Sequence, residues 1–67
     1  MMEEREMVYA ALREQADCYN SADSELIKAM CWEKAGELIA IAATAHPEMR
    51  SEYRKAWKGM LGMESGS

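Results

Sequence analysis

The sequence predicts an all-α fold, a small three-helix antiparallel bundle, from three observations. Good helix formers (Ala, Glu, Met, Leu, Lys and Arg) dominate the 67 residues. Nowhere do β-branched or aromatic residues alternate with polar ones between turn clusters, as strands require. Apolar residues recur instead at three- and four-residue steps, in segments parted by helix-breaking sequence.

The first helix is predicted over about residues 3–19. Val8, Leu12, Ala16 and Tyr19 line one side of it, and Arg13, Glu14 and Asp17 the other. Glu3, Glu4 and Glu6 fall in the first turn, where carboxylates complement the positive end of the helix dipole. Asn20-Ser21-Ala22-Asp23-Ser24 is the break. Asn20 and Ser21 are both good N-caps. A connection of only a few residues makes the first two helices antiparallel neighbours. The alternative is a helix continuous through this point.

The second helix is expected over about residues 22–45. Ile27, Cys31, Ala35 and Leu38 form its inner stripe, while Glu33 and Glu37 point away. From Leu38 to Ala45 it carries no charge on any side, and a helix apolar all round is a buried helix. Two neighbours in so small a chain cannot wrap it completely. The surplus predicts contact with another molecule.

His46-Pro47 ends this helix, because proline disfavours helical geometry in the residue before it. Pro47 then opens a third helix over about residues 47–61. Met49, Tyr53, Ala56, Trp57 and Met60 make its apolar face, and Gly62 is its natural stop. Residues 1–62 form one domain. Residues 63–67 are expected to be a disordered tail, whose closing Ser-Gly-Ser resembles an appended linker.

A chain this short buries only about 60% of the surface its unfolded form exposes. Its core then supplies about 3–5 kcal/mol unless a staple helps. Disulfides are a poor candidate: Cys18 and Cys31 read as reduced, buried thiols, and disulfide-dependent extracellular domains carry more cysteines. A metal is no better, since Cys18, Cys31 and His46 lack the close cysteine pairs of structural zinc sites. No cofactor is expected. Self-association remains, so the sequence predicts a homodimer or higher oligomer with Ile39, Ile41, Tyr53 and Met60 at the interface.

The longest apolar run, Leu38 to Ala43, is far below the ~18 residues that cross a membrane. The amino terminus is acidic where a signal peptide would be basic. A cytoplasmic location without membrane partners is the expectation.

The net charge of −4 argues against a nucleic-acid binder held by a broad basic surface. The charge is uneven, however. Residues 1–37 carry nine acids against four bases, whereas residues 46–58 carry two acids against Arg50, Arg54, Lys55 and Lys58. Arg50, Arg54 and Lys58 follow one another at four-residue steps, bordered by Trp57 and Leu61. Arginine beside an exposed aromatic is the composition of protein hot spots, and it also suits a phosphate group. The plainer reading pairs these bases with Glu33, Glu37 or the glutamates of the first helix, in a neighbouring helix or a neighbouring subunit.

Catalysis has little to build on. His46 is the only histidine, Cys18 and Cys31 fall at core-facing or flanking positions, and no glycine-rich phosphate loop exists. Glu33 and Glu37 lack the Glu-x-x-His partners of carboxylate metal bundles. Of the seven methionines, Met30, Met49 and Met60 are expected in the core and Met7 outside it. Trp32 with Ile39, and Trp57 with Leu61, are expected as exposed or intersubunit apolar patches.

The sequence therefore predicts a non-enzymatic interaction protein, a regulator, adaptor or inhibitor that covers another protein's surface. Its size, helix content and lack of motifs resemble those of small phage and mobile-element proteins that occlude host proteins. The predicted partner-binding residues are Arg50, Arg54, Trp57, Lys58 and Leu61, with Trp32. One alternative is an oligomeric binder of a nucleotide-like anion, its pocket between subunits lined by Arg50, Arg54 and Tyr53. Another is a nucleic-acid regulator that docks its third helix in a groove.

Overall fold

The computed structural model describes residues 3–62, and the described residues form helices without a strand. Helix α1 spans Glu4–Ser21, α2 spans Glu25–Ala45, and α3 spans Arg50–Met60 after a 3-10 turn at Pro47–Met49. The expected disorder of residues 63–67 lies outside the described residues.

Each helix end follows from local chemistry. The break is real and short, but the cap is not the one expected. α1 runs on through Asn20 and Ser21, whose hydroxyl donates back to the Asp17 carbonyl at 2.8 Å. Ser24 is the N-cap of α2 instead, its hydroxyl accepting the Ile27 amide at 3.2 Å. That bond satisfies one of the donors a helix start leaves unpaired. Asn20 is used elsewhere: its side-chain amide donates to the Met60 carbonyl at 3.4 Å, tying the end of α1 to the end of α3. α2 stops at Ala45, ahead of Pro47, as proline chemistry requires. α3 stops at Gly62, whose φ of 78° lies in the left-handed region that favours glycine.

Leu12 and Ala16 of α1, Ala35, Ile39 and Ala42 of α2, and Met49, Tyr53 and Trp57 make one core. The contribution of α2 is mostly small side chains: Cys31, Ala35, Ala42 and Ala43 are buried with Ile39. Volume must come from elsewhere, and α3 supplies it. Tyr53 and Trp57, one helical turn apart, are only 2% and 4% exposed. Aromatic side chains bury roughly 150–250 Å² each, so these two dominate a core otherwise rich in alanine.

This division of labour corrects several expectations. Trp57 is a core residue rather than a surface anchor, because the four-residue step from Met49 through Tyr53 points it inward. Tyr53 and Ile39, expected between subunits, are buried within the chain for the same reason. Ile39 and Ile41 cannot share a surface, since two residues turn a helix by about 200°. Ile41 lies outside, exposed by 70%. Met60 and Leu61 are half-buried against the core. Met30, expected inside, is exposed, because it adjoins Cys31 but lies off the Cys31–Ala35 stripe. Met7 is exposed as expected. Cys18, expected buried, is exposed, and Cys31 is buried. No helix among the described residues is long and apolar enough to cross a membrane.

Candidate interaction site

The basic strip and the tryptophans meet at a cleft between α2 and α3. Trp32, Gly36, Ile39 and Ala40 line it from α2, and Arg50, Arg54 and Trp57 from α3, around a volume of about 290 Å³. Trp32 lies over the buried Trp57, ring centres 6.0 Å apart and planes at 63°, the edge-to-face geometry aromatic quadrupoles favour. The other side of Trp32 meets Tyr19 of α1 at 6.2 Å, and Lys28 Nζ stands 5.9 Å from the Tyr19 ring. Three helices therefore hold Trp32 in place although it is 43% exposed. A large apolar side chain fixed by its neighbours loses little freedom on binding.

Arg50 and Arg54 border this cleft, and also a second depression with Pro47, Glu48, Ser51, Lys55 and Lys58. Among the described residues neither guanidinium has a hydrogen-bond or ion-pair partner. The ion pairs that exist lie elsewhere: Lys28 with Glu25 at 3.9 Å, and His46 with Glu4 and Glu48, both at 3.7 Å. Within the chain, and among the described residues, the strip does not pair with Glu33, Glu37 or the glutamates of α1.

Of the residues predicted to bind a partner, the structure thus brings Trp32, Arg50 and Arg54 to one opening. Trp57 forms its floor, Lys58 lies on the adjoining basic surface, and Leu61 packs against the core. Gly36 and Ala40 were missed. A signal for Gly36 existed, since it is the only glycine before residue 59. A helix-interior glycine costs up to about 1 kcal/mol relative to alanine. Nothing in the chain demands it here, because an added Cβ would meet no atom within 4 Å. Its effect is to keep the cleft floor low.

The remaining reactive groups are arranged differently. The neighbouring Cys18 side chain, together with burial, raises the Cys31 thiol above its ordinary range. A nucleophilic cysteine needs the opposite shift. Among the described residues no three His, Cys, Asp or Glu side chains gather as a metal site would need.

Comparison with protein-family models, with curated proteins and with solved structures returned no significant match.

Proposed function

We propose that the chain is a non-enzymatic interaction protein, an antiparallel three-helix bundle that works as a homodimer and covers another protein's surface with the α2–α3 cleft. The observation that carries this is two unpartnered arginines at the rim of a groove walled by Trp32 and floored by Trp57. Arginine and tryptophan are the residues most enriched where binding energy concentrates.

The open shape of the cleft favours a protein over a small ligand. Small-molecule pockets hold about 300–1,000 Å³ and bury most of their ligand. This cleft, at about 290 Å³, is at the small end of that range, and it is open rather than enclosing. One or two side chains of a partner fit it better. The partner segment is acidic, its apolar side chain resting on Trp32 and Ala40 while its carboxylates meet Arg50 and Arg54. Lys55 and Lys58 extend the same positive field.

A nucleotide-like anion is the second reading, favoured by the exposed ring of Trp32 beside two guanidiniums. It no longer involves Tyr53, which is buried. Nucleic acid is disfavoured by the net charge of −4.

The test is affinity capture with immobilised wild type, R50E/R54E and Trp32→Ala, each checked for helical circular dichroism. A protein held by the wild type should be lost by both variants. Retention by both would sink the assignment. A thermal shift with a nucleotide, abolished in R50E/R54E, would favour the second reading.

A further inference from the structure

The outward side of α2 carries a second pattern that neither the core nor the cleft uses. Ile27, Met30, Lys34, Glu37, Ile41 and Thr44 follow one another at steps of three, four, three, four and three. That is the a/d spacing of a helix seam. All six residues are exposed, Met30 by 61% and Ile41 by 70%. The side of α2 that faces the core, at Cys31, Ala35, Ile39 and Ala42, lies about a third of a turn round the helix. Ile27, expected on the inner stripe with Cys31, is exposed at the margin between the two.

The polar members of the stripe carry the argument. Lys34 and Glu37 have no ion-pair or hydrogen-bond partner among the described residues. Thr44 spends its hydroxyl on the Ala40 carbonyl of its own helix at 2.9 Å, so its methyl remains for contact. When α2 is laid antiparallel against a second α2, with the two-fold axis between Lys34 and Glu37, every position finds a fitting neighbour. Lys34 meets the second copy's Glu37, and Glu37 its Lys34. Met30 meets Ile41 on either side of these ion pairs, and Ile27 meets Thr44 at the ends. A parallel pairing sets lysine against lysine and glutamate against glutamate. Like charges in direct apposition select against it.

We propose that two copies of this chain associate through this stripe, as an isologous antiparallel α2–α2 contact centred on reciprocal Lys34–Glu37 ion pairs. The proposal deepens the homodimeric part of the reading above by naming the face and the register. It differs from the interface expected from sequence, keeping only Ile41. A two-fold contact must be self-complementary, and this stripe is. Trp32 and Gly36 lie well round the helix from it, so the dimer leaves both clefts open.

Sedimentation equilibrium over a concentration series tests this with the full chain. The wild type should approach twice the 7.6 kDa of one chain. Lys34→Glu and Glu37→Lys each place like charges together, and each should weaken the dimer by about tenfold or more. The swapped variant K34E/E37K restores opposite charges and should restore the dimer. A monomeric wild type at several hundred micromolar overturns the proposal, as does a dimer indifferent to the single changes or a swap that rescues nothing. Both positions are exposed, so helical content should hold throughout. Partner capture by K34E with loss through R50E/R54E separates this surface from the cleft. Failure of one leaves the other standing.

Discussion

The Tyr9 hydroxyl on α1 donates to the Glu52 carboxylate on α3 at 2.8 Å, and its ring meets Tyr53 edge-on at 5.4 Å. The contact ties α1 to α3 at the surface, beside the core. It raises the Tyr9 pKa, first because the phenol is bound to a carboxylate, then through burial and the charge of Glu52. A group whose folded pKa is raised contributes stability that is present below its unfolded pKa, about 10 for tyrosine. That contribution is lost as pH rises through the folded value. Tyr9→Phe should therefore cost about 0.5–1 kcal/mol at pH 7, the low end for a hydrogen bond because the pair lies near the surface. Urea melts should show wild type and variant converging at strongly alkaline pH. An offset that persists there would mean the hydroxyl was not the cause.

The two tryptophans should behave oppositely. Trp57→Ala removes a buried indole, a change that costs about 3–5 kcal/mol. A chain this short has little more than that in total, so far-UV circular dichroism should show loss of the fold. Trp32→Ala gives up ring contacts with Tyr19 and Trp57, about 0.5–1.5 kcal/mol each, and part of an indole already 43% exposed, a smaller loss than at Trp57. It should stay folded. Equal losses for the two would contradict their placement.

Gly36→Ala should raise the melting temperature. The added methyl meets nothing in the chain, and alanine in a helix interior gains up to about 1 kcal/mol over glycine. For a domain this size that is about 4–8 °C. The same methyl intrudes on the cleft, so partner capture should weaken while stability improves. A lower melting temperature would show that Gly36 serves the fold instead.

The cysteines should separate by reactivity. Cys18 is exposed, whereas Cys31 is buried and its thiol pKa is raised by the neighbouring Cys18 and by desolvation. At pH 8 an alkylating reagent should modify Cys18 at least about tenfold faster than Cys31, since the thiolate is the reactive form. Peptide mapping by mass spectrometry reads the two sites directly. Comparable rates without denaturant would mean that α1 and α2 part readily.

Much of the fold is legible along the chain because helices are local objects. The stripe Val8, Leu12, Ala16 and Tyr19, the stop at His46-Pro47 and the glycine at 62 each act over one or two turns, and the structure follows them. The cap of α2 was misplaced by three residues, since Asn20, Ser21 and Ser24 have similar capping chemistry. Choosing among them depends on where α1 finishes. The cleft was half legible. Arg50, Arg54 and Trp32 were read as surface residues, but nothing in their spacing shows that α2 and α3 bring them to one opening.

Periodicity in the chain established three helices, their polar sides and the asymmetry of charge, all consequences of backbone geometry and residue type. Which apolar side chains turn inward was settled by packing. Small residues on α2 left a volume that Tyr53 and Trp57 fill, drawing Trp57 out of the surface and leaving Met30 and Ile41 on it. A stripe on one helix records that a side is apolar. How much of that side disappears from solvent depends on the bulk of the facing residues, which belong to distant parts of the chain.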